Sequence, residues 1–152
     1  SEYIVSLMTS EKSMSDSIQI NGYYVIISNL ERIGDHAVNL AGYADDMKKW
    51  DQQFSDNVLE ELDEMKKQCM SALDNVRDVT PDNVGSVLDQ AVVMEQKNDN
   101  MRDKYFKKQL QRLKKGKCKP QSGIVFSEVL TDFERMGDHT LNIAQQYKEM
   151  AQ

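Results

Sequence analysis

At 152 residues and 17.5 kDa, the chain is one domain's worth of sequence. It is 39% hydrophobic and carries 25 acidic against 19 basic side chains, a formal charge of -6. That balance argues against a general nucleic-acid binder, which needs a basic footprint, and no apolar run approaches the roughly 18 residues a bilayer span takes.

Few glycines and prolines punctuate the chain, so long helices are expected. Apolar residues at Tyr23, Ile26, Leu30, Ile33, Ala37, Leu40, Ala44 and Met47 step by three and four, which predicts an amphipathic helix from about Asp16 to Trp50. A second stripe runs from Val58 through Leu62, Met65, Cys69 and Leu73 to Val76, with Ser55 as its N-cap. Thr80-Pro81 closes that helix and opens the next, with Pro81 at the first helical position. The third helix runs to about Leu113; Gly116 and Pro120 then separate it from a final helix starting near Ser122. The lysines at 114–119 read as a solvated loop, contact with an anionic membrane surface being the sharper alternative. Four helices with short connections predict an all-α, up-and-down antiparallel bundle. Cys69 and Cys118 lack disulfide-framework or metal-finger spacing and are expected as reduced, buried thiols of a cytosolic compartment.

The informative feature is a repeat. Residues 29–41 (Asn-Leu-Glu-Arg-Ile-Gly-Asp-His-Ala-Val-Asn-Leu-Ala) match residues 132–144 (Asp-Phe-Glu-Arg-Met-Gly-Asp-His-Thr-Leu-Asn-Ile-Ala) at an offset of 103, with seven of thirteen positions identical. A core requires only apolar spacing to repeat; here polar residues repeat as well. The same offset aligns Tyr3–Met8 with Phe106–Gln111 and maps the body of the third helix to positions before residue 1. The expectation is a fragment of a longer protein, its first repeat represented by its last helix.

At about 100° per residue, Glu31, Asp35 and Asn39 stand one above another on a flank of the first helix, and Glu134, Asp138 and Asn142 do so on the last. Carboxylates with an amide carbonyl are hard oxygen donors suited to a cation. Gly34 and Gly137 lie between the acidic flank and the stripe, where a mid-helix glycine implies a close neighbour or a packing notch. Glu95 and Asp99 form a third such pair at the margin of the third helix's stripe, and in an antiparallel bundle they could face Glu134 and Asp138. The acidic run Glu60, Glu61, Asp63, Glu64 reads as a solvated face. His36 and His139 fall on the solvent side of the wheel, away from the carboxylates, and five residues after each Glu is the wrong offset for a di-iron Glu-x-x-His site.

Leu-Glu-Arg-Ile-Gly-Asp-His and its twin Phe-Glu-Arg-Met-Gly-Asp-His resemble the signature of the PhoU family, a repeated Glu/Asp-x-x-x-Asp motif on the third helix of each three-helix repeat. The stretch from Met94 to Ala144 is similar to that family's second and third helices in order. The resemblance implies spectrin-like three-helix repeats: residues 1–50 as the last helix of a truncated first repeat and 51–152 as a complete second one, in one compact domain. It implies metal clusters on Glu95, Asp99, Glu134 and Asp138, with Glu31 and Asp35 as half a set, and Asn39, Asn142, Gly34 and Gly137 in supporting roles. The metal would be divalent or ferric (Fe, Zn, Mg or Mn).

The resemblance further implies a regulator of phosphate uptake rather than an enzyme. The segment before the last motif is similar to the PhoU-like tail of bacterial sodium/phosphate cotransporter-like proteins. The expected partners are then a membrane transporter domain in cis and a second copy in a homodimer, without nucleic acid, at the cytoplasmic face of the membrane. A free-standing signalling adaptor acting on a phosphate ABC transporter and sensor kinase is the alternative, and a carboxylate-bridged metalloenzyme a third class.

Overall fold

A computed structural model describes residues 14–152, which form four helices: α1 (Met14–Lys49), α2 (Asp56–Arg77), α3 (Val84–Lys114) and α4 (Pro120–Met150). No strand occurs among the described residues. The stub at Tyr3–Met8 lies outside them.

The helix ends follow from local chemistry, with some departures from expectation. Ser55 takes the extended N-cap conformation of α2, and its carbonyl accepts from the amides of Val58 and Leu59, yet its side chain makes no capping bond. Pro81 is not the first residue of α3. It sits in a turn where the Asn83 side chain accepts from the Thr80 amide at 2.7 Å and the Thr80 carbonyl accepts from the Val84 amide, which delays the helix to Val84. The proline that opens a helix is Pro120, at the start of α4. Between α3 and α4, Gly116 adopts φ +62°, while the amide of Lys117 bonds the carbonyl of Arg112 and that of Gly116 bonds Leu113. This pair of bonds makes a Schellman closure, which needs a left-handed residue.

α2, α3 and α4 pack against one another around Met65, Tyr105, Phe126, Leu130 and Ile143, all buried. Removing a side chain such as Phe126 from water contributes roughly 2–3 kcal/mol. Among the described residues α1 packs on α4 alone. It runs antiparallel to it, with Gln19 donating to the Met150 carbonyl at 2.8 Å near one end and His36 meeting Asp132 further along.

The face that α1 buries differs from the predicted stripe. Ile26, Ile33 and Met47 are buried and Leu40 is half-buried, but Tyr23, Leu30, Ala37 and Ala44 are exposed. The contact line instead runs through Gly22, Ile26, Asn29, Ile33, His36, Leu40, Tyr43 and Met47. Hydrophobicity misplaced the face because the repeat mates of the exposed residues are covered. Phe126, Leu130 and Phe133 correspond to Tyr23, Ile27 and Leu30; the first three are buried in the three-helix unit, while the α1 residues have no such cover among the described residues.

Candidate metal centre

The centre of the molecule is polar where α1 meets α4, and it is arranged as a pseudo-twofold. His36 Nδ1 lies 2.6 Å from Asp132 Oδ1, which also accepts from Asn39 at 3.3 Å. In the other half, His139 Nδ1 lies 2.9 Å from Asn29 Oδ1, which also accepts from Asn142 at 3.3 Å. The three pairs Asn29/Asp132, His36/His139 and Asn39/Asn142 are all repeat mates at the offset of 103. The two imidazoles stack with centroids 5.5 Å apart. The histidines therefore do not point to solvent as the wheel placed them: they hold the two copies of the motif helix together. Burial, and then electrostatic repulsion from the neighbouring His36 ring, keep His139 below the usual histidine range. Burial, with the Asp132 carboxylate adding to it, raises the Tyr43 phenol.

The carboxylates gather on another flank of α4, against α3. Asn98 is buried, donates to the carbonyls of Phe133 at 3.0 Å and Glu134 at 3.4 Å, and lies so close to Gly137 that a Cβ there would collide with its amide nitrogen. Cys69 Sγ, from α2, also reaches the Phe133 carbonyl, at 3.1 Å. Burial pushes this thiol up to about 12, so it stays protonated and able to donate. The Asn98 contacts set the register of α3 on α4, and the Cys69 bond ties α2 to the same carbonyl.

In that register the carboxylates of Glu95, Asp99 and Asp138 converge, one oxygen from each lying within 4.8 Å of the others. All three residues are half-buried. Glu134 stands at the edge, with Oε2 3.6 Å from Arg102 Nε. Burial raises Glu95, and Asp99 and Asp138 add to the rise. Asp138 is likewise raised, by burial and then by Asp99, with Arg135 at 3.7 Å working in the opposite direction. Glu134 is raised by burial against the pull of Arg102. Asp99 Oδ1 is buried without a hydrogen-bond partner among the described residues. A buried carboxylate oxygen without a partner is costly, and beside two further carboxylates it is what a cation would satisfy.

The structure does not bring Glu31 and Asp35 into this group. Both are exposed on α1, and open space surrounds Gly34, where its mate Gly137 is filled by Asn98. Asn39 and Asn142 serve the helix–helix contact described above. Glu61 corrects the solvated-face reading of residues 60–64. It is buried, and its carboxylate pairs with Arg112 at 2.6 Å and Lys108 at 3.0 Å, while Glu64 accepts from the Tyr105 hydroxyl. The periodic signal was present, since Glu61 falls at the i−4 position from Met65, on the buried side of α2, but the surrounding acids masked it. A cavity of about 730 Å³ is lined by α1, α2 and α4, including Leu40, Met47, Phe54 and Val129, and none of the clustered carboxylates reaches it.

The fold is an all-helical up-and-down bundle whose last helix carries an acidic motif facing a second acidic pair, a cluster that could hold a metal ion. The chain belongs to the PhoU domain family, whose profile matches residues 1–44 and 62–147. Membership implies a regulator of phosphate uptake and not an enzyme. No curated protein and no solved structure gives a match. No helix among the described residues is long and apolar enough to cross a membrane.

Proposed function

We propose that the chain is the metal-binding regulatory domain of a sodium-dependent phosphate transporter and modulates phosphate uptake from the cytoplasmic face of the membrane. The observation that carries the metal-binding part is the convergence of Glu95, Asp99 and Asp138 around the unpartnered Asp99 oxygen. Those three residues would hold the ion, with Glu134 beside them; when bound, it supplies the positive charge that offsets their repulsion. The donors are all carboxylates, because both imidazoles are engaged elsewhere, and such a set suits a hard cation such as Mg, Mn or ferric iron better than zinc.

The chain's own part in this mechanism is electrostatic. Asn98 ties α3 to α4, so the carboxylates cannot separate to relieve their repulsion without breaking buried bonds. With an ion between them, Glu95, Asp99 and Asp138 would draw α3 and α4 together and so fix the surface offered to a transporter. In this reading the partners are the transporter's membrane part, on the same polypeptide, and a second copy covering the apolar face of α1 that holds Tyr23, Ile27 and Leu30.

The test is phosphate uptake by cells carrying the parent gene, intact or with Asp99→Asn/Asp138→Asn. A change confined to sodium-driven uptake supports the reading. A change confined to ATP-driven uptake supports the adaptor instead, and unaltered uptake by either route contradicts both.

A further inference from the structure

Residues 102–119 hold nine Lys or Arg and one acidic residue, Asp103, a strong local reversal in a chain of net charge -6. The charges are not equally engaged. On the α2 side, Lys108 and Arg112 are tied to Glu61, and Glu60 and Glu64 line the same cleft as Lys104 and Lys115. Lys107, Lys114, Lys115, Lys117 and Lys119 are exposed and enter no ion pair among the described residues. Asp51 lines a small cleft with Lys117 and Lys119 without pairing with either.

Two exposed apolar side chains accompany these lysines. Asp99 and Asp138 mark one side of the α3–α4 pair. Leu110 follows Asp99 by 11 residues, close to three turns, and Ile124 precedes Asp138 by 14, close to four. The helices are antiparallel, so both residues lie on that side and toward the connecting turn. Leu110 is 42% exposed and Ile124 63%. The Schellman closure at Gly116 fixes the turn that carries Lys115, Lys117 and Lys119 at the same end of the bundle.

We propose that this α3–α4 tip docks onto an anionic lipid surface, the lysines meeting headgroups while Leu110 and Ile124 enter the boundary of the acyl region. Charge complementarity selects the partner. Each lysine near an anionic bilayer contributes about 1 kcal/mol, and exposed leucine and isoleucine gain from acyl chains. Nucleic acid would use the lysines but has no place for the aliphatic pair, and bases would call for exposed aromatics or arginines instead. The inference stands independently of the metal centre.

The experiment is co-sedimentation of the whole chain with phosphatidylcholine vesicles, with and without phosphatidylglycerol. It is run beside Lys114→Glu/Lys115→Glu/Lys117→Glu and Leu110→Ser/Ile124→Ser, with folding followed by circular dichroism. All substituted side chains are exposed, so both variants should fold. The expected result is binding to the anionic vesicles at least about tenfold above neutral ones, lost in the lysine variant and weakened in the aliphatic one. Equal binding to both vesicle types, or no loss in the lysine variant, overturns the proposal. So does tighter binding to a DNA duplex than to anionic vesicles. Release by inorganic phosphate but not by sodium chloride of the same ionic strength would show that the lysines read free phosphate, and would overturn it too.

Discussion

Asn98 fills the space over Gly137, donating from there to the carbonyl of Phe133 at 3.0 Å, and this contact places the carboxylates of α3 opposite those of α4. At its repeat mate, Gly34, a Cβ would meet nothing within 4 Å among the described residues. One motif thus occurs in a packed and an open form within the same chain.

The two glycines should consequently respond in opposite ways to the same substitution. Gly137→Ala drives a methyl into a buried amide and should cost about 2 kcal/mol or more through the lost hydrogen bond and overpacking. Gly34→Ala, in an open helical position, should gain about 0.5–1 kcal/mol. Urea denaturation of both variants checks the pair; equal effects would contradict the asymmetry.

The carboxylate cluster should give the metal-free chain an unusual pH dependence. Glu95, Glu134 and Asp138 all have folded values raised above their unfolded ones. In the interval between the two values the folded state binds more protons than the unfolded state, so stability falls as pH rises through it and the loss is complete above the folded values. Asp138→Asn removes one of the repelling charges and should raise metal-free stability at neutral pH by about 1 kcal/mol, with the gain shrinking toward pH 4. Thermal melts across that range, with a chelator present, would show it. A neutral-pH loss of stability would contradict the picture of mutual repulsion.

Glu61 offers a contrast, being an acidic residue with its charge matched. Glu61→Ala strands Arg112, which is largely buried, and Lys108, which can partly turn to water. The expected loss is about 2–3 kcal/mol, at or below the usual range for breaking a buried pair, and Glu60→Ala one residue away should be near neutral. Chemical denaturation of the two variants measures the difference.

How much of this the sequence revealed depends on which residues had a partner that it also encoded. The four helices, the repeat and the facing of Glu95/Asp99 toward the last helix all follow from periodicity, because the helices concerned lie within the chain. The buried face of α1 did not. Tyr23, Leu30 and Ala44 form a good stripe, since their repeat mates need one, but in α1 the protein buries a line containing Asn29 and His36 instead. Polar identity was the signal there: asparagine or aspartate at 29 and 132, histidine at 36 and 139, and asparagine at 39 and 142 recur because each set bonds across to the other. A helical wheel ranks side chains by their affinity for water and cannot see that a histidine is satisfied by a carboxylate 96 positions away.

The central claim is that Glu95, Asp99 and Asp138 together hold a metal ion, and the most direct test is the metal content of the purified chain. Elemental analysis after loading with Mn, Mg or ferric iron and removal of the excess should find bound metal in the unaltered chain. It should find little in Asp99→Asn/Asp138→Asn and undiminished metal in Glu60→Gln/Glu64→Gln. Equal metal in the unaltered chain and the Asp99/Asp138 variant would contradict the assignment, as would no metal in either.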